Sequence, residues 1–443
     1  MDQQPNTWSS RLSFIITTSA FAVGLGNIWR FPYITGEGGG GAFLFVYLVL
    51  IFLIGIPIMT IEIGLGRMSS ATPLTGFGKL SQHKMWNGIG WLGVIALLLI
   101  KCYYVMILAW VLIYFWECLS GNISQLVGGD FSAHFDQMTA NLWKVFAVIV
   151  GIMAMGFAII RRGLQSGLEQ VAKWMLGILF FLMIGLTLWA ATLEEAMTGY
   201  RWFLTPDFSK INLDVFLIAL GQIFFSVGVG MCVAFVFGSY TKKEDNLISS
   251  TAIVVFTDTF IAILAGFMLF PVIFSFGLSP NSGPDLVFVT MASVFSQLDY
   301  GQWLGAVFFL LLFLAGFTSL LASMQALTES FKEKFNWSLL RSLTVISLFL
   351  TVAALPNVFS YTENPFRLFG KTTFEFLDFL TNSVMLPLSG LLIVLFGGHV
   401  VGFDKLKAHL EIGANTTIGS FWRFVVVVVI PLAILIILFQ GIL

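Results

Sequence analysis

Long apolar stretches recur along the whole chain, and they restrict its fold more than any other feature. A bilayer core is crossed by roughly 20 apolar residues in a helix. Eleven such spans can be read, at about 11–33, 41–67, 86–118, 142–160, 166–191, 214–240, 247–275, 300–331, 338–354, 373–397 and 419–442. Backbone groups in lipid must be satisfied within the protein, so spans of this length predict helices. The expectation is an all-α membrane protein of eleven transmembrane helices, one domain over 1–443. Only 10% of residues are charged and 58% are hydrophobic, against about 25% charged in soluble proteins. That excludes a soluble globule, a nucleic-acid binder and a disordered chain. The first span holds Asn27 and Arg30, ends in Phe31-Pro32 and lacks a cleavage site, unlike a signal peptide.

Lys and Arg set the orientation. With the N-terminus cytoplasmic, fifteen of the 22 fall in inside segments and six outside, with Lys101 in mid-span. The bias predicts a multi-pass protein of the cell (inner) membrane. Eleven spans then place the C-terminus outside, extracellular or periplasmic. The outside loop 192–213 is long, and Thr205-Pro206-Asp207 could start a short surface helix. The four His residues lie in loops or at helix ends, and no Ser-His or HExxH constellation is present, so an enzyme is not expected. The three Cys residues read as buried thiols.

Two spans are interrupted near their middles. The first reads Ala22-Val23-Gly24-Leu25-Gly26-Asn27, and the sixth Ser226-Val227-Gly228-Val229-Gly230-Met231. Glycines beside Asn or Ser permit unwinding, which at mid-membrane depth is tolerated only where backbone lines a protein cavity. Close helix packing through small residues is the other reading. The breaks open two successive sets of five helices, a pattern that points to a transporter site. Asp258, in Phe256-Thr257-Asp258-Thr259-Phe260, is a carboxylate inside an apolar span and is expected to face such a site.

The run Val23-Gly24-Leu25-Gly26-Asn27-Ile28-Trp29-Arg30-Phe31-Pro32 closely resembles the signature of the neurotransmitter:sodium symporter family. Gly55-Ile56-Pro57 with Glu62, Tyr103-Tyr104, Gly221-Gln222-Ile223-Phe224-Phe225-Ser226, Ala315-Gly316-Phe317-Thr318-Ser319 and Asp378-Phe379 resemble its later helices in order. Eleven spans resemble its shorter bacterial members. The resemblance implies a LeuT-like 5+5 inverted repeat, with repeats over 11–191 and 214–398 and an additional helix at 419–442. It also implies Na⁺-coupled amino-acid import by alternating access, with a same-fold amino-acid sensor as the alternative.

Site residues follow from the resemblance one at a time. A first sodium site would use Ala22, Asn27, Ser226 and Asp258 with the substrate carboxylate. A second would use Ala20, Val23, Ala315, Thr318 and Ser319. All supply oxygen ligands, as a hard cation requires. Many relatives carry a neutral Asn at position 258 and need chloride; the carboxylate here implies chloride independence. The amides of Leu25 and Gly26, at the start of a half-helix, suit a carboxylate, and Tyr104 matches the tyrosine that donates to it. Ala22, Phe225, Ser226 and Gly228 would take the ammonium. Phe21, Ile100, Met231, Ser319 and Ser323 would complete a pocket for a large apolar or aromatic amino acid. Arg30 and Asp378 match an outer ion pair, with Gln222 in the lid. Trp8, Ser239, Tyr240 and Glu333 match closing residues inside.

The chain departs from the family pattern in three places. Pro5 stands where many members have a basic residue that pairs with the inner acid. Gly177 replaces the proline that follows Gly167 by ten positions in some bacterial members. Lys101 has no familiar counterpart; Glu62, Asp258 or a backbone carbonyl is its expected partner, a structural ion pair is the expected role, and modifying or replacing a cation near the first site the functional alternative.

Overall fold

The computed structural model describes residues 7–126, 128–280, 286–362, 364–414 and 416–442; Pro5 lies outside them. Among these residues nine helices have the length and hydropathy of a span. They are Gly41–Ser69, Lys84–Leu119, Leu142–Ile160, Leu164–Ala190, Leu247–Ser275, Gly301–Phe335, Leu339–Tyr361, Thr373–Val400 and Ser420–Gln440. A tenth is a bent pair, Arg11–Ala22 and Gly26–Glu37, whose halves meet at 50°. The sixth expected span is built from two shorter helices, Leu213–Val227 and Val233–Ser239. This arrangement is compatible with the eleven spans read from the sequence, and the spans are numbered accordingly below.

Polar side chains start several spans. Ser10, Asn141, Asn212, Asn246 and Ser338 each accept a backbone N–H of the first turn, and each such cap stabilises its helix by about 1 kcal/mol. Spans 3 and 8 form the centre: 78% and 72% of their apolar windows are buried, against 22% for span 5. Span 5 accordingly exposes Trp174, Phe181 and Leu188, as a lipid-facing helix does. Span 2 lies backbone to backbone with the second half of span 6. A side chain at Gly66 would overlap the Phe235 carbonyl, and one at Gly238 the Ile63 carbonyl.

The connections hold structure that hydropathy does not reveal. In the loop after span 5, the helix Ala196–Leu204 ends before Thr205-Pro206 rather than starting there. The residue before a proline disfavours helical geometry, and Thr205 is extended. Asp207 then caps only the short turn Phe208–Lys210. Before span 10, Arg367–Leu368 pairs with Lys371–Thr372 in a small hairpin. Phe369 and Gly370 both take positive φ there, which a two-residue hairpin turn requires.

A half-buried histidine joins the loop helix Phe403–Leu410 to span 2. Arg67 donates through Nε to His409 Nε2 at 3.0 Å and through Nη2 to the His409 carbonyl at 2.5 Å. Burial, and then the charges of Arg67 and Lys243, hold the imidazole down to about 4, below its ordinary 6.5. The unfolded chain therefore takes up this proton more readily than the folded one. Stability is unaffected by His409 above about 6.5 and falls as pH drops toward about 4. Melting curves across that range should fall more steeply for the native chain than for His409→Gln.

Candidate functional site

The site begins with the two breaks. The first helix ends at Ala22; Val23 is extended (φ −68°, ψ 96°), and helix resumes at Gly26–Arg30 as a wide π-type turn. Asn27 Oδ1 accepts the Gly24 N–H at 3.0 Å and so holds the gap from within. In span 6 the gap covers 228–232, with Gly228, Gly230 and Cys232 at φ 70°, 85° and 59°. Buried backbone groups freed by unwinding need partners. Glu62 accepts the Gly230 N–H at 2.9 Å, Ser389 donates to the Gly230 carbonyl at 2.8 Å, and Gln222 donates to the Gly26 carbonyl at 2.9 Å. The role of Ser389 carried no sequence signal, because helix serines ordinarily bond to their own backbone.

Gly228 is fixed by geometry. An L side chain at its left-handed conformation is strained by about 1–2 kcal/mol. A Cβ there would also lie 2.6 Å from Phe21 Cζ, in a buried ring. Gly228→Ala should lower the apparent melting temperature by a few degrees and weaken ligand binding roughly tenfold, because Phe21 must move. Thermal shift and ligand titration on the purified variant check both effects.

Three residues expected at the first sodium site meet in one cluster. Asn27 Nδ2 donates to Asp258 Oδ1 at 2.7 Å and to the Asp258 carbonyl at 2.9 Å. The Ser226 hydroxyl lies 3.1 and 2.9 Å from the two carboxylate oxygens and accepts from Asn27 at 3.2 Å. Asp258 is 0% exposed, and among the described residues no Lys, Arg or His pairs with it. A buried carboxylate held only by neutral donors is short of positive charge. Oxygen-rich surroundings with a net negative charge fit a hard monovalent cation.

The residues expected at a second site are less evenly gathered. Ala20, Val23 and Ala315 are buried. The Thr318 hydroxyl donates to Leu314 and Ala315 carbonyls of its own helix, at 3.0 and 2.9 Å. Ser319 Oγ instead accepts from Lys101 Nζ at 3.3 Å.

Beside the cluster lies a cavity of about 30 Å³. Its walls include every residue expected for substrate except Ser323. Phe21, Ala22, Leu25 and Gly26 come from span 1, and Ile100 and Tyr104 from span 3. Phe225, Ser226, Gly228 and Met231 come from span 6, and Ser319 from span 8. Ser323 is not among the cavity's lining residues, and its hydroxyl donates to the Ser319 carbonyl at 2.7 Å. The Tyr104 hydroxyl is buried and, among the described residues, meets no partner at hydrogen-bond geometry. Lys101 is a correction. It reaches neither Glu62 nor Asp258; its ammonium lines the cavity, 3.9 Å from the centre of the Tyr104 ring.

A larger vestibule of about 240 Å³ lies on the Arg30 side, and Tyr104 and Phe225 line both spaces. Arg30 and Asp378 both line the vestibule, yet among the described residues they form no ion pair. Arg30 donates to Gln222 Oε1 at 3.0 Å and stacks over Phe225 at 4.8 Å. Asp378 accepts from Asn382 at 2.6 Å, one helical turn on. The intervening vestibule explains why the expected pair is not joined.

The other side is closed by aromatic packing. Trp8 donates to the Phe237 carbonyl at 2.9 Å and packs at 5.2 Å from the Phe237 ring and 5.8 Å from Tyr240. Ser239 donates to its own helix. Glu333 lies elsewhere: it accepts the Thr72 N–H at 2.7 Å and the Thr75 hydroxyl, and pairs with Lys79 at 3.8 Å. It thus caps the short helix Pro73–Ser81, and among the described residues it has no partner in the N-terminal segment. Arg11 is held by Ser249 and Ser250 of span 7. The N-terminal segment is tied to span 5 through Ser9 and Glu169, and through Gln165 donating to the Thr7 carbonyl at 2.8 Å. Span 5 starts in a π-type turn at Leu164–Glu169, which includes Gly167, and continues through Gly177 without interruption.

A sequence profile described as the Sodium:neurotransmitter symporter family matches residues 5–127 and 126–443. The chain belongs to this family. It is 33% identical to an uncharacterized sodium-dependent transporter of Haemophilus influenzae, over 99% of both chains. It is 32% identical to the uncharacterized sodium-dependent transporter YhdH of Bacillus subtilis, over 98% of this chain and 97% of that one. The crystal structure of MhsT in complex with L-phenylalanine superposes with a TM-score of 0.90 at 34% identity, covering 99% of this chain and 100% of MhsT. The symporter chain is therefore a sodium-dependent transporter with the LeuT fold, and not an enzyme.

Proposed function

We propose that this symporter couples inward movement of two Na⁺ to import of an α-amino acid, without chloride. The observation that carries the reading is Asp258, buried beside both broken helices with Asn27 and Ser226 as its neutral partners. A cation there, completed by the substrate carboxylate and the Ala22 carbonyl, neutralises the cluster. Each ligand then binds better in the presence of the other, which is the thermodynamic content of coupling. The second Na⁺ is assigned to Ala20, Val23, Ala315, Thr318 and Ser319. The fixed charge of Asp258 makes an added anion unnecessary.

The amino acid lies in the central cavity. Its carboxylate takes the Tyr104 hydroxyl and the Leu25 and Gly26 amides, and its ammonium takes carbonyls near Ala22 and Phe225. The cavity is small, with Phe225 and Lys101 in its wall, and binding repacks these two side chains around the amino acid. The apolar walls favour a large apolar or aromatic skeleton, and Lys101 modifies that preference. The vestibule is the extracellular or periplasmic path, and the Trp8–Phe237–Tyr240 packing closes the cytoplasmic one, in the inner membrane. The repeats 11–191 and 214–398 move against each other around the site, with 419–442 as an additional helix.

The driving force is sufficient. Each charge crossing 100 mV gains about 2.3 kcal/mol, and a tenfold gradient adds about 1.4 kcal/mol. Two Na⁺ supply roughly 7 kcal/mol, a limiting accumulation of about 10⁵-fold for a zwitterion. Proteoliposomes with an inward Na⁺ gradient and labelled amino acids test the reading. Uptake should vanish when K⁺ replaces Na⁺ and persist when gluconate replaces chloride. Uptake that continues without Na⁺ would reject it.

A further inference from the structure

Lys101 is a charge in the central cavity for which transport of a neutral zwitterion has no use. It is 2% exposed, on the central span 3, between Ile100 and Tyr104. Its ammonium has three donors. Ser319 Oγ at 3.3 Å accepts one, and the Tyr104 face attracts the charge without accepting a proton. Among the described residues no carboxylate pairs with it, and no acidic side chain lines the cavity. The buried carboxylates of spans 2 and 7 are otherwise engaged: Glu62 holds the Gly230 amide, and Asp258 holds Asn27 and Ser226. A buried ammonium without a counter-ion is costly, and it lies in the space assigned to the substrate.

We propose that Lys101 recognises a second anionic group on the substrate, so that the transported species is an acidic amino acid. This inference rests on the amino-acid reading of the site. Balance of charge supports it. On that reading the first Na⁺ neutralises Asp258, and the α-carboxylate that completes its shell is balanced by the substrate's own ammonium. The one remaining fixed charge of the cavity is then positive, and an anionic side chain neutralises it. A neutral aromatic substrate would displace the ammonium from Tyr104 and Ser319 while offering it no anion. The walls contributed by Phe21, Ile100 and Met231 then contact the methylene skeleton rather than an aromatic ring.

The test is a competition panel of glutamate, aspartate, cysteate, glutamine, leucine and phenylalanine on the reconstituted full chain, repeated with Lys101→Met and Lys101→Gln. The native chain should prefer an acidic member to leucine and phenylalanine by at least tenfold. Lys101→Met should lose acidic substrates by about 100-fold and gain neutral ones by about tenfold. Native preference for leucine or phenylalanine, with the same order in either variant, would overturn the inference while leaving Na⁺ coupling standing. An unchanged order with one additional Na⁺ per substrate in Lys101→Met would also overturn it, making the ammonium a tethered substitute for a cation. Should the variants not fold, the native ranking alone decides. Acidic preference that reverses in Lys101→Met but does not depend on Na⁺ would support the assignment of Lys101 and remove the symport reading instead.

Discussion

Asp258→Asn is expected to weaken Na⁺ binding by about 100-fold or more and to abolish uptake at ordinary Na⁺ concentrations. The amide keeps the shape and the bonds to Asn27 and Ser226, which now accept and donate within a neutral cluster. What disappears is the charge. A buried ion deprived of its partner costs about 3–5 kcal/mol, and about 3 kcal/mol corresponds to the stated factor. Added chloride should recover part of the loss, because it can supply the missing charge, whereas the native chain should be indifferent to chloride. Folding without Na⁺ should be unharmed, since a carboxylate without a counter-ion has been removed from the interior. Melting temperatures in K⁺ should therefore match or exceed the native value, while the rise produced by Na⁺ disappears. A variant that melts low in K⁺ would mean that Asp258 is a structural residue.

Tyr104→Phe separates binding from stability in the same manner. The Tyr104 hydroxyl is buried and, among the described residues, without a partner at hydrogen-bond geometry. Deleting an unsatisfied buried hydroxyl leaves the fold as stable or more stable, because its desolvation cost is relieved. If the hydroxyl donates to the substrate carboxylate, the same deletion removes a bond to a charged group, about 1.5–3 kcal/mol. Affinity should therefore fall roughly 10- to 150-fold with no loss in melting temperature. The ring remains, so the cation–π contact to Lys101 and the wall between cavity and vestibule persist. Unchanged affinity would place the substrate carboxylate elsewhere.

The sequence made the spans and both breaks legible for a physical reason. Lipid forces backbone closure, so hydropathy and glycine pairs carry most of the architecture. Asp258 stood out because a carboxylate at that depth faces a site, whereas its grouping with Asn27 and Ser226 followed from the family resemblance. Ser323 lies off the cavity wall with its hydroxyl on its own backbone, which spacing cannot reveal. Glu333 reaches the Thr72 amide because a long acid at a helix end has several partners within reach, and the start of the Pro73–Ser81 helix offers that donor. Lys101 was recognised as unusual but assigned an ion pair; the direction of a flexible four-carbon stem depends on neighbours from spans 1, 6 and 8. Arg30 and Asp378 were expected to touch, and a vestibule lies between them. The hairpin at Arg367–Thr372 escaped because two-residue strands leave almost no periodic signal.

Calorimetric titration of the purified chain tests the central claim most directly. The transported amino acid is titrated at several Na⁺ concentrations with K⁺ as replacement, and Na⁺ is titrated with and without the amino acid. A shared coordination shell predicts that Na⁺ tightens amino-acid binding by at least tenfold, and that the amino acid tightens Na⁺ binding by the same factor. Amino-acid affinity that is equal in Na⁺ and K⁺ would contradict the account.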